Sequence, residues 1–451
     1  MPATLSAQTQ PISLEAGELC GWGGGAGVRS FVARPEGVEA ARAALTTAPQ
    51  SGVIARGMGR SYGDAAQLVG GLVIDMTRMT GYELDRRRGV VTAEAGITIG
   101  RLLGELVPAG WVLPVVPGTQ HVSVGGAIAC DIHGKSHGLD GTFGRHVEAV
   151  GLLTASGEVL ELEPGSELFA ATVGGMGLTG VILWARLALA PVGSALLSVD
   201  TDRADDLDEV LSCLAAPGGR YRVAWVDLLG RRPGRGVVTR ADHLPAGAAD
   251  GATVPSRATV PSWWPSGLLR QRTVEAFNEL RFRRAPRRRR GAIQRLGTHM
   301  FPLDALARWP RLYGPSGFLQ YQFVVPVGSE RVLELVIAEL RRAHVACYLA
   351  VLKDFGPESD AYLSFPLPGW TLALDLPRAA PGLGTLLDRL DELVAAAGGR
   401  VYLAKDARLR LEALRAMYPR LEEWRAVREQ VDPDGLWRSD LGLRTGLLGS
   451  G

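Results

Sequence analysis

The stretch ARGMGRSYGDAA (Ala55–Ala66) decides how this chain is read. It leaves a buried-strand pattern, Ser51–Arg56, and then places Gly57, Gly59, Gly63 and the hydroxyl of Ser61 within a few residues. Backbone without side chains can approach a ligand closely, and N–H groups exposed in such a nest bind anions. That is chemistry for a pyrophosphate; a glycine-rich surface turn is the alternative. Two further stretches repeat the theme, PGTQHVSVGGAIACDIHGKSHG (Pro117–Gly138) and VGGMGLTG (Val173–Gly180). Gly118, Thr119, Ser123, Gly125 and Gly126 supply a second cradle of backbone and hydroxyl groups. Three such loops converging on one ligand point to a large dinucleotide.

The third loop contains Gly175-Met-Gly177-Leu-Thr-Gly180, the spacing of a Rossmann fingerprint, with Asp200 downstream. That fingerprint has to open a helix. VILWARLAL follows instead, a strand-like run, which argues against a Rossmann site.

Composition excludes several classes. The 451 residues suffice for two or three domains, and the formal charge of +2 gives no global nucleic-acid signal. Cys20, Cys130, Cys213 and Cys347 are scattered, with no paired spacing for zinc and no disulfide framework; a reducing compartment is expected. No metal site is indicated. The opening MPATLSAQTQPISLEAG has neither the basic start nor the apolar core of a signal peptide. No apolar run reaches the roughly 18 residues needed to cross a bilayer. The expected location is cytoplasmic or peripheral on a membrane.

Along the chain, Gly71–Met76, Gly89–Ala95 and Val181–Leu189 read as strands, Thr98–Val107 as a short helix, and Val147–Leu162 as a hairpin around Ser156-Gly157. Pro191 marks a boundary. Beyond it, a strand starts at Val199, helices span Asp205–Leu214, Glu330–Ala343 and Leu383–Gly398, and strands span Gly317–Pro326 and Ala346–Leu352. Ala246–Pro265 reads as a mobile loop. Two helices, Arg408–Tyr418 and Glu422–Val431, close the chain.

The three loops, in order, resemble the FAD domain of the vanillyl-alcohol-oxidase, or PCMH, family of flavoproteins. CDIHGKSHG, FGRHV, FLQYQF, SFPLPGW and YLAKD are similar to its branch that oxidises the 2′-hydroxyl of polyprenylphosphoryl ribose. The resemblance runs from about Gly21 to about Leu443. It implies an α+β fold: a two-part FAD-binding domain (residues 1–192), a substrate domain with an antiparallel sheet and flanking helices (193–399), and a C-terminal helical segment returning to the FAD domain (400–451).

The resemblance also assigns sites. The cofactor would lie along Ala55, Arg56, Gly57, Met58, Gly59, Arg60, Ser61, Tyr62, Gly63, Asp64 and Ala65. Gly118, Thr119, Ser123, Val124, Gly125 and Gly126 would close over it, Cys130, Asp131, Ile132 and His133 would pass near its ring, Ile182 would line the adenine end, and Tyr402 would touch the flavin. Many relatives attach FAD through a histidine of the first loop; Arg60 stands there, so FAD is expected to be non-covalent. Lys405 would stabilise negative charge arriving with hydride, or be held in a plain salt bridge. His133 would be an imidazole beside the substrate, or a hydrogen-bonded structural histidine. Tyr62, His133 and Lys405 are the candidates for the base. Lys353, Gln320, Gln322, Tyr62, Trp370, Thr371 and Ala373 would contact substrate; the two glutamines, at i and i+2, share one face of a strand. Mycobacterial members carry a cysteine where this chain has Ala373, so no thiol is offered there.

Arg281–Arg290 carries seven arginines in ten residues, downstream of Trp263, Trp264, Leu268 and Leu269. It suits an anionic membrane surface or a lipid phosphate, or is a solvated positive loop. The implied partners are a polyprenylphosphoryl ribose lipid, a peripheral membrane surface and an NAD(P)H-dependent short-chain reductase, with no nucleic acid. The alternatives are a soluble alditol or aldonolactone oxidase, an oxidase of another phosphorylated ribose in specialised metabolism, and a non-catalytic flavoprotein or scaffold.

Overall fold

The computed structural model describes residues 13–265 and 269–449. Strands β1 (Glu15–Leu19), β2 (Val28–Ala33), β3 (Val53–Arg56) and β4 (Leu72–Asp75) form a sheet in the order β1-β2-β4-β3, with β2 and β3 both parallel to β4. A second, antiparallel sheet contains β5 (Tyr82–Asp85), β6 (Val90–Glu94), β7 (Val147–Leu153), β8 (Val159–Leu162) and β9 (Val181–Ala188), in the order β5-β6-β9-β7-β8. Between β6 and β7, the helices Ile99–Leu106 and Val124–Ala129 are capped by Thr98 and Ser123, whose hydroxyls accept from Arg101 and Gly126 N–H. The third glycine loop leads into β9, a strand, as its apolar continuation predicts.

The rest of the chain builds one eight-stranded antiparallel sheet. Its members are β10 (Leu196–Ala204), β11 (Tyr221–Val226), β12 (Gly236–His243), β13 (Arg288–Arg295), β14 (Phe318–Pro326), β15 (Leu349–Phe355), β16 (Gly369–Pro377) and β17 (Arg400–Val401), in the order β13-β10-β12-β11-β15-β16-β14-β17. Alternation splits its faces. On β16, Leu372, Leu374 and Leu376 enter the core shared with the helices Arg331–Arg342 and Leu383–Ala396. Ala373 instead faces the glycine loops, together with Gln320, Gln322, Lys353, Val223 and Trp225 of neighbouring strands. The C-terminal segment crosses back to the N-terminal sheets: Trp437 bridges to Val53, and Trp424 Nε1 donates to Ala171 O at 2.9 Å.

Several boundaries differ from the sequence expectations. The strand expected at Ala346 begins at Leu349, because the apolar run Val345–Cys347 is buried in the turn that leaves the preceding helix, with His344 at φ 52°. The strand placed at Val199 begins at Leu196, held by β13. The helix expected from Arg408 begins at Leu411, since Asp406 Oδ1 accepts both Arg408 and Leu409 N–H in a turn. The segment Ala246–Pro265 is tied down at Val254, which exchanges hydrogen bonds with the Gln120 amide at 2.7 and 3.1 Å. The arginine run is not a loop. Arg281–Arg284 ends the helix Gln271–Arg284, and Arg288–Arg290 opens β13 on the sheet edge, with Arg290 paired to Asp200 and Asp202. Leu268 lies outside the described residues. Among the described residues no helix is long and apolar enough to cross a membrane.

Candidate active site

A cavity of about 550 Å³ separates the glycine loops from the open face of the large sheet. The first loop forms one wall. Arg56 closes it at the base, donating to Ala66 O at 2.7 Å and Cys20 O at 2.9 Å. Gly57 lets the second loop come up against it: a Cβ there would stand 2.0 Å from Ser123 Oγ. Gly63 does the same for the C-terminal segment, where a Cβ would stand 1.9 Å from Asp406 O. Tyr62 N–H donates to Ala404 O at 2.9 Å, which sets Lys405 against the loop, its Nζ 3.7 Å from the centre of the Tyr62 ring.

The opposite wall is polar where β14, β15 and β16 face the loops. Thr371 Oγ1 donates to Phe323 O (2.9 Å) and accepts from Gln322 Nε2 (3.0 Å). The same amide nitrogen is 2.9 Å from His133 Nε2, and Lys353 Nζ is 3.0 Å from His133 Nδ1. With the amide so oriented, its second hydrogen falls to Nε2. The neutral imidazole therefore carries its proton on Nδ1 and meets a lone pair on Lys353. The electrostatics agree: burial lowers Lys353 to about 7, and burial, with Lys353 next, holds His133 well below the usual imidazole range. Burial likewise brings Lys405 down to about 7, against the pull of the Asp375 carboxylate. Asp375 is itself raised to about 6 by burial, partly offset by hydrogen bonds from Gln320 Nε2 (2.6 Å) and Tyr313 OH (3.0 Å).

Residues 30–163 match the family model of an FAD binding domain, and residues 379–444 match that of D-arabinono-1,4-lactone oxidase. The chain is 41% identical to a decaprenylphosphoryl-β-D-ribose oxidase of Mycolicibacterium smegmatis, over 95% of this chain and 97% of that one. It belongs to the decaprenylphosphoryl-β-D-ribose oxidase family of FAD-dependent oxidoreductases. An uncharacterised Streptomyces coelicolor protein is 43% identical over 78% of this chain and its own full length. The Physcomitrella patens protein BBE-like 1 shares the fold, with a TM-score of 0.67 at 16% identity over 91% of this chain and 90% of that one.

The cradle of this oxidase-family chain fits the cofactor its family uses. Met58, Gly59, Arg60 and Ser61 line the cavity, and their backbone N–H groups meet no acceptor among the described residues. Arg60 Nε is buried without a partner, and a Cβ at Gly118 would stand in open space, with no atom within 4 Å. Unanswered donors around an open trough are what a pyrophosphate needs. Arg60 stacks on Trp22, its guanidinium carbon 3.9 Å from the ring centre.

Most of the residues expected at the site line this one cavity. They include Ala55, Ala65, Thr119, Ser123, Gly125, Gly126, Cys130, Ile132, Ile182 and Tyr402 on the cofactor side, and Gln320, Gln322, Lys353, Ala373 and Lys405 across from them. Six do not. Gly63 packs on Asp406, and Asp64 is bound bidentately by Arg444 at 2.8 Å. Val124 is core. Asp131 sits behind the loop at φ 38°, accepting from Gly144 N–H (2.9 Å) and Ser364 Oγ (2.6 Å), and so holds the turn that presents Cys130 and His133. Thr371 is fully buried behind Gln322. Trp370 points to the other face of the sheet, where its Nε1 donates to Glu330.

Sequence reasoning did not single out Asp375, Lys135 or His299. Asp375 was readable from alternation, since Thr371, Ala373 and Asp375 share a face of β16. Lys135 stands two residues from His133 in a stretch already quoted. His299 had no local signal.

Proposed function

We propose that this chain oxidises the 2′-hydroxyl of a polyprenylphosphoryl-β-D-ribose to the 2′-keto sugar, the first half of an epimerisation to the arabinose donor for cell-wall arabinan. The observation that carries the reading is the juxtaposition, across one cavity, of the FAD-domain loops with the chain Thr371–Gln322–His133–Lys353 and with Lys405. FAD, held non-covalently by the loops of residues 1–192, supplies the acceptor for the hydride leaving the 2′-carbon. The protein's own groups manage the proton and the charge. Lys353, rather than Tyr62, His133 or Lys405, is the base: in its neutral form Nζ turns the one lone pair that meets His133 Nδ1–H to the hydroxyl and takes its proton as the C–H bond breaks and the carbonyl forms. Lys405 keeps a cation at the cavity wall, which favours added negative charge there. Gln320 and Gln322 hold sugar hydroxyls.

The helix Gln271–Arg284 supports the reading of a peripheral membrane partner. It exposes Phe277 and Leu280 beside Arg283 and Arg284, and its Arg281 reaches the cavity. A lipid-linked substrate would leave its tail at that surface. The ketone product calls for a separate reductase of the NAD(P)H-dependent short-chain class.

The C-terminal match to D-arabinono-1,4-lactone oxidase favours a second reading, an aldonolactone oxidase. Mass analysis after incubation with farnesylphosphoryl ribose and a dye acceptor separates the two. The first reading predicts a product lighter by two hydrogens; turnover of an aldonolactone, with the lipid sugar untouched, would replace it with the second.

A further inference from the structure

The chain has 49 basic residues, and only Lys135, Lys353 and Lys405 are lysines. All three line the same cavity, where Arg56, Arg60 and Arg281 also stand, while arginine makes every ion pair found among the described residues. A lysine retained in so arginine-rich a chain is held for what a compact ammonium does. Lys353 and Lys405 have roles above; Lys135 has none.

Lys135 lies over the sheet beside β11, where its carbonyl accepts Arg222 N–H at 2.8 Å. Its ammonium bonds to the His299 carbonyl and to no carboxylate among the described residues. His299 lines the cavity too; it is 6% exposed, and its Nε2 is buried without a partner. A lysine amine brought down to about 7 by burial, with no carboxylate partner among the described residues, and an unanswered imidazole nitrogen thus share one corner; an anion arriving there favours the protonated amine, and both groups then donate to it. The corner falls where the sheet wall changes character. On one side stand Gln322 and Lys353; on the other, Val223, Trp225 and Val237 present apolar side chains, with the Arg281 guanidinium 4.8 Å from the centre of the Trp225 ring.

We propose that Lys135 and His299 Nε2 form the subsite that binds the phosphate ester of the substrate. This rests on the polyprenylphosphoryl sugar reading. In such a substrate only the anomeric carbon and one oxygen separate phosphorus from the 2′-carbon, so the anion must sit beside the hydroxyl-binding wall. The prenyl chain, on the far side of the phosphorus, then meets the apolar wall. Polar, anionic and apolar surfaces follow one another as the ligand's parts do.

The test is binding of farnesyl phosphate to the FAD-loaded protein, followed by perturbation of the flavin spectrum, with farnesol and inorganic phosphate as comparators. Wild type is expected to prefer farnesyl phosphate over farnesol by about tenfold or more, the scale of one charge-assisted contact. Lys135→Gln should abolish that preference, leaving farnesol affinity and flavin content unchanged, and Lys135→Arg should keep most of it. An unchanged preference in Lys135→Gln would overturn the subsite. So would inorganic phosphate binding as tightly as the ester, since the site would then be one for free phosphate. The ligand contains no ribose, so Lys135-dependent binding without oxidation of the lipid sugar would sink the functional reading and leave the subsite standing. Oxidation with an unaltered KM in Lys135→Gln would do the reverse.

Discussion

Lys353 Nζ lies 3.0 Å from His133 Nδ1, with the far ring nitrogen already bonded to Gln322. The relationship joins a strand of the large sheet to the second glycine loop, and the proposal that Lys353 takes the substrate proton rests on it. Lys353→Met should lower the rate of flavin reduction about 10²–10⁴-fold, the range for loss of a general base, and should shift KM much less. Lys353 must be neutral to act and is held at about 7, so the wild-type rate should rise as pH passes through that value. Lys405 must be charged and is also held at about 7, so the rate should fall above it, giving a narrow bell. Lys353→Met should lose the rising limb. A variant that keeps it would move the base elsewhere.

Stability should fall on the acid side for a nameable reason. Burial holds His137 at about 3 and His299 at about 2, and His137 Nδ1 is committed to accepting Gly356 N–H at 3.0 Å. A free imidazole titrates near 6.5, so below that pH the unfolded chain binds protons that the folded chain does not. Each depressed histidine then removes up to about 1.4 kcal/mol per pH unit between about pH 6.5 and its folded value. Thermal melts from pH 7 to pH 5 should show the decline, and His137→Asn should make it shallower. A melt independent of pH would show that these rings already charge in the fold.

Arg444 ties three parts of the chain together. It pairs with Asp64 of the first loop and with Asp406 beside Lys405, and it donates to Leu409 O at 3.1 Å. Arg444→Met would remove the ion-pair partner of two carboxylates, one of them, Asp406, almost fully buried and left with only the N–H groups of Arg408 and Leu409. Urea unfolding should show a loss of roughly 3–5 kcal/mol, the cost of breaking a buried pair from one side. FAD affinity should fall with it, because Asp64 belongs to the cofactor loop. A loss under about 1 kcal/mol would mark the network as ordinary surface pairing.

Two glycines of the cavity wall should behave oppositely. Gly57→Ala pushes a Cβ to 2.0 Å from Ser123 Oγ, so the two loops must part, and the protein should purify with little flavin. Gly118→Ala meets no protein atom within 4 Å and should melt like wild type without cofactor, yet bind FAD more weakly if the open space is the cofactor's. The ratio of flavin to protein absorbance, with melts of the stripped proteins, reads both.

How much was legible follows from where each signal lives. The loops, the short helix after Ile97 and the strand after Gly180 are local patterns, and the structure keeps them, while Ser123, read as a cradle hydroxyl, caps the helix Val124–Ala129. The arginine strand β13 is not local: arginine-rich sequence forms a ladder there because β10 offers it an edge, with Asp200 and Asp202 in register to take Arg290. Trp370 was misplaced by ignoring period two, since its neighbour Ala373 faces the cavity while Trp370 faces Glu330. His299 reaches the cavity only through the folding of distant segments. Counting lysines, by contrast, points straight to Lys135.

The central claim is tested most directly by anaerobic reduction of the bound flavin in the purified protein. Farnesylphosphoryl ribose would be compared with a free alditol and an aldonolactone, in wild type and in Lys405→Ala. The account predicts rapid bleaching by the lipid sugar alone, lost in Lys405→Ala. Bleaching by the alditol or the lactone, with the lipid sugar inert, would contradict it.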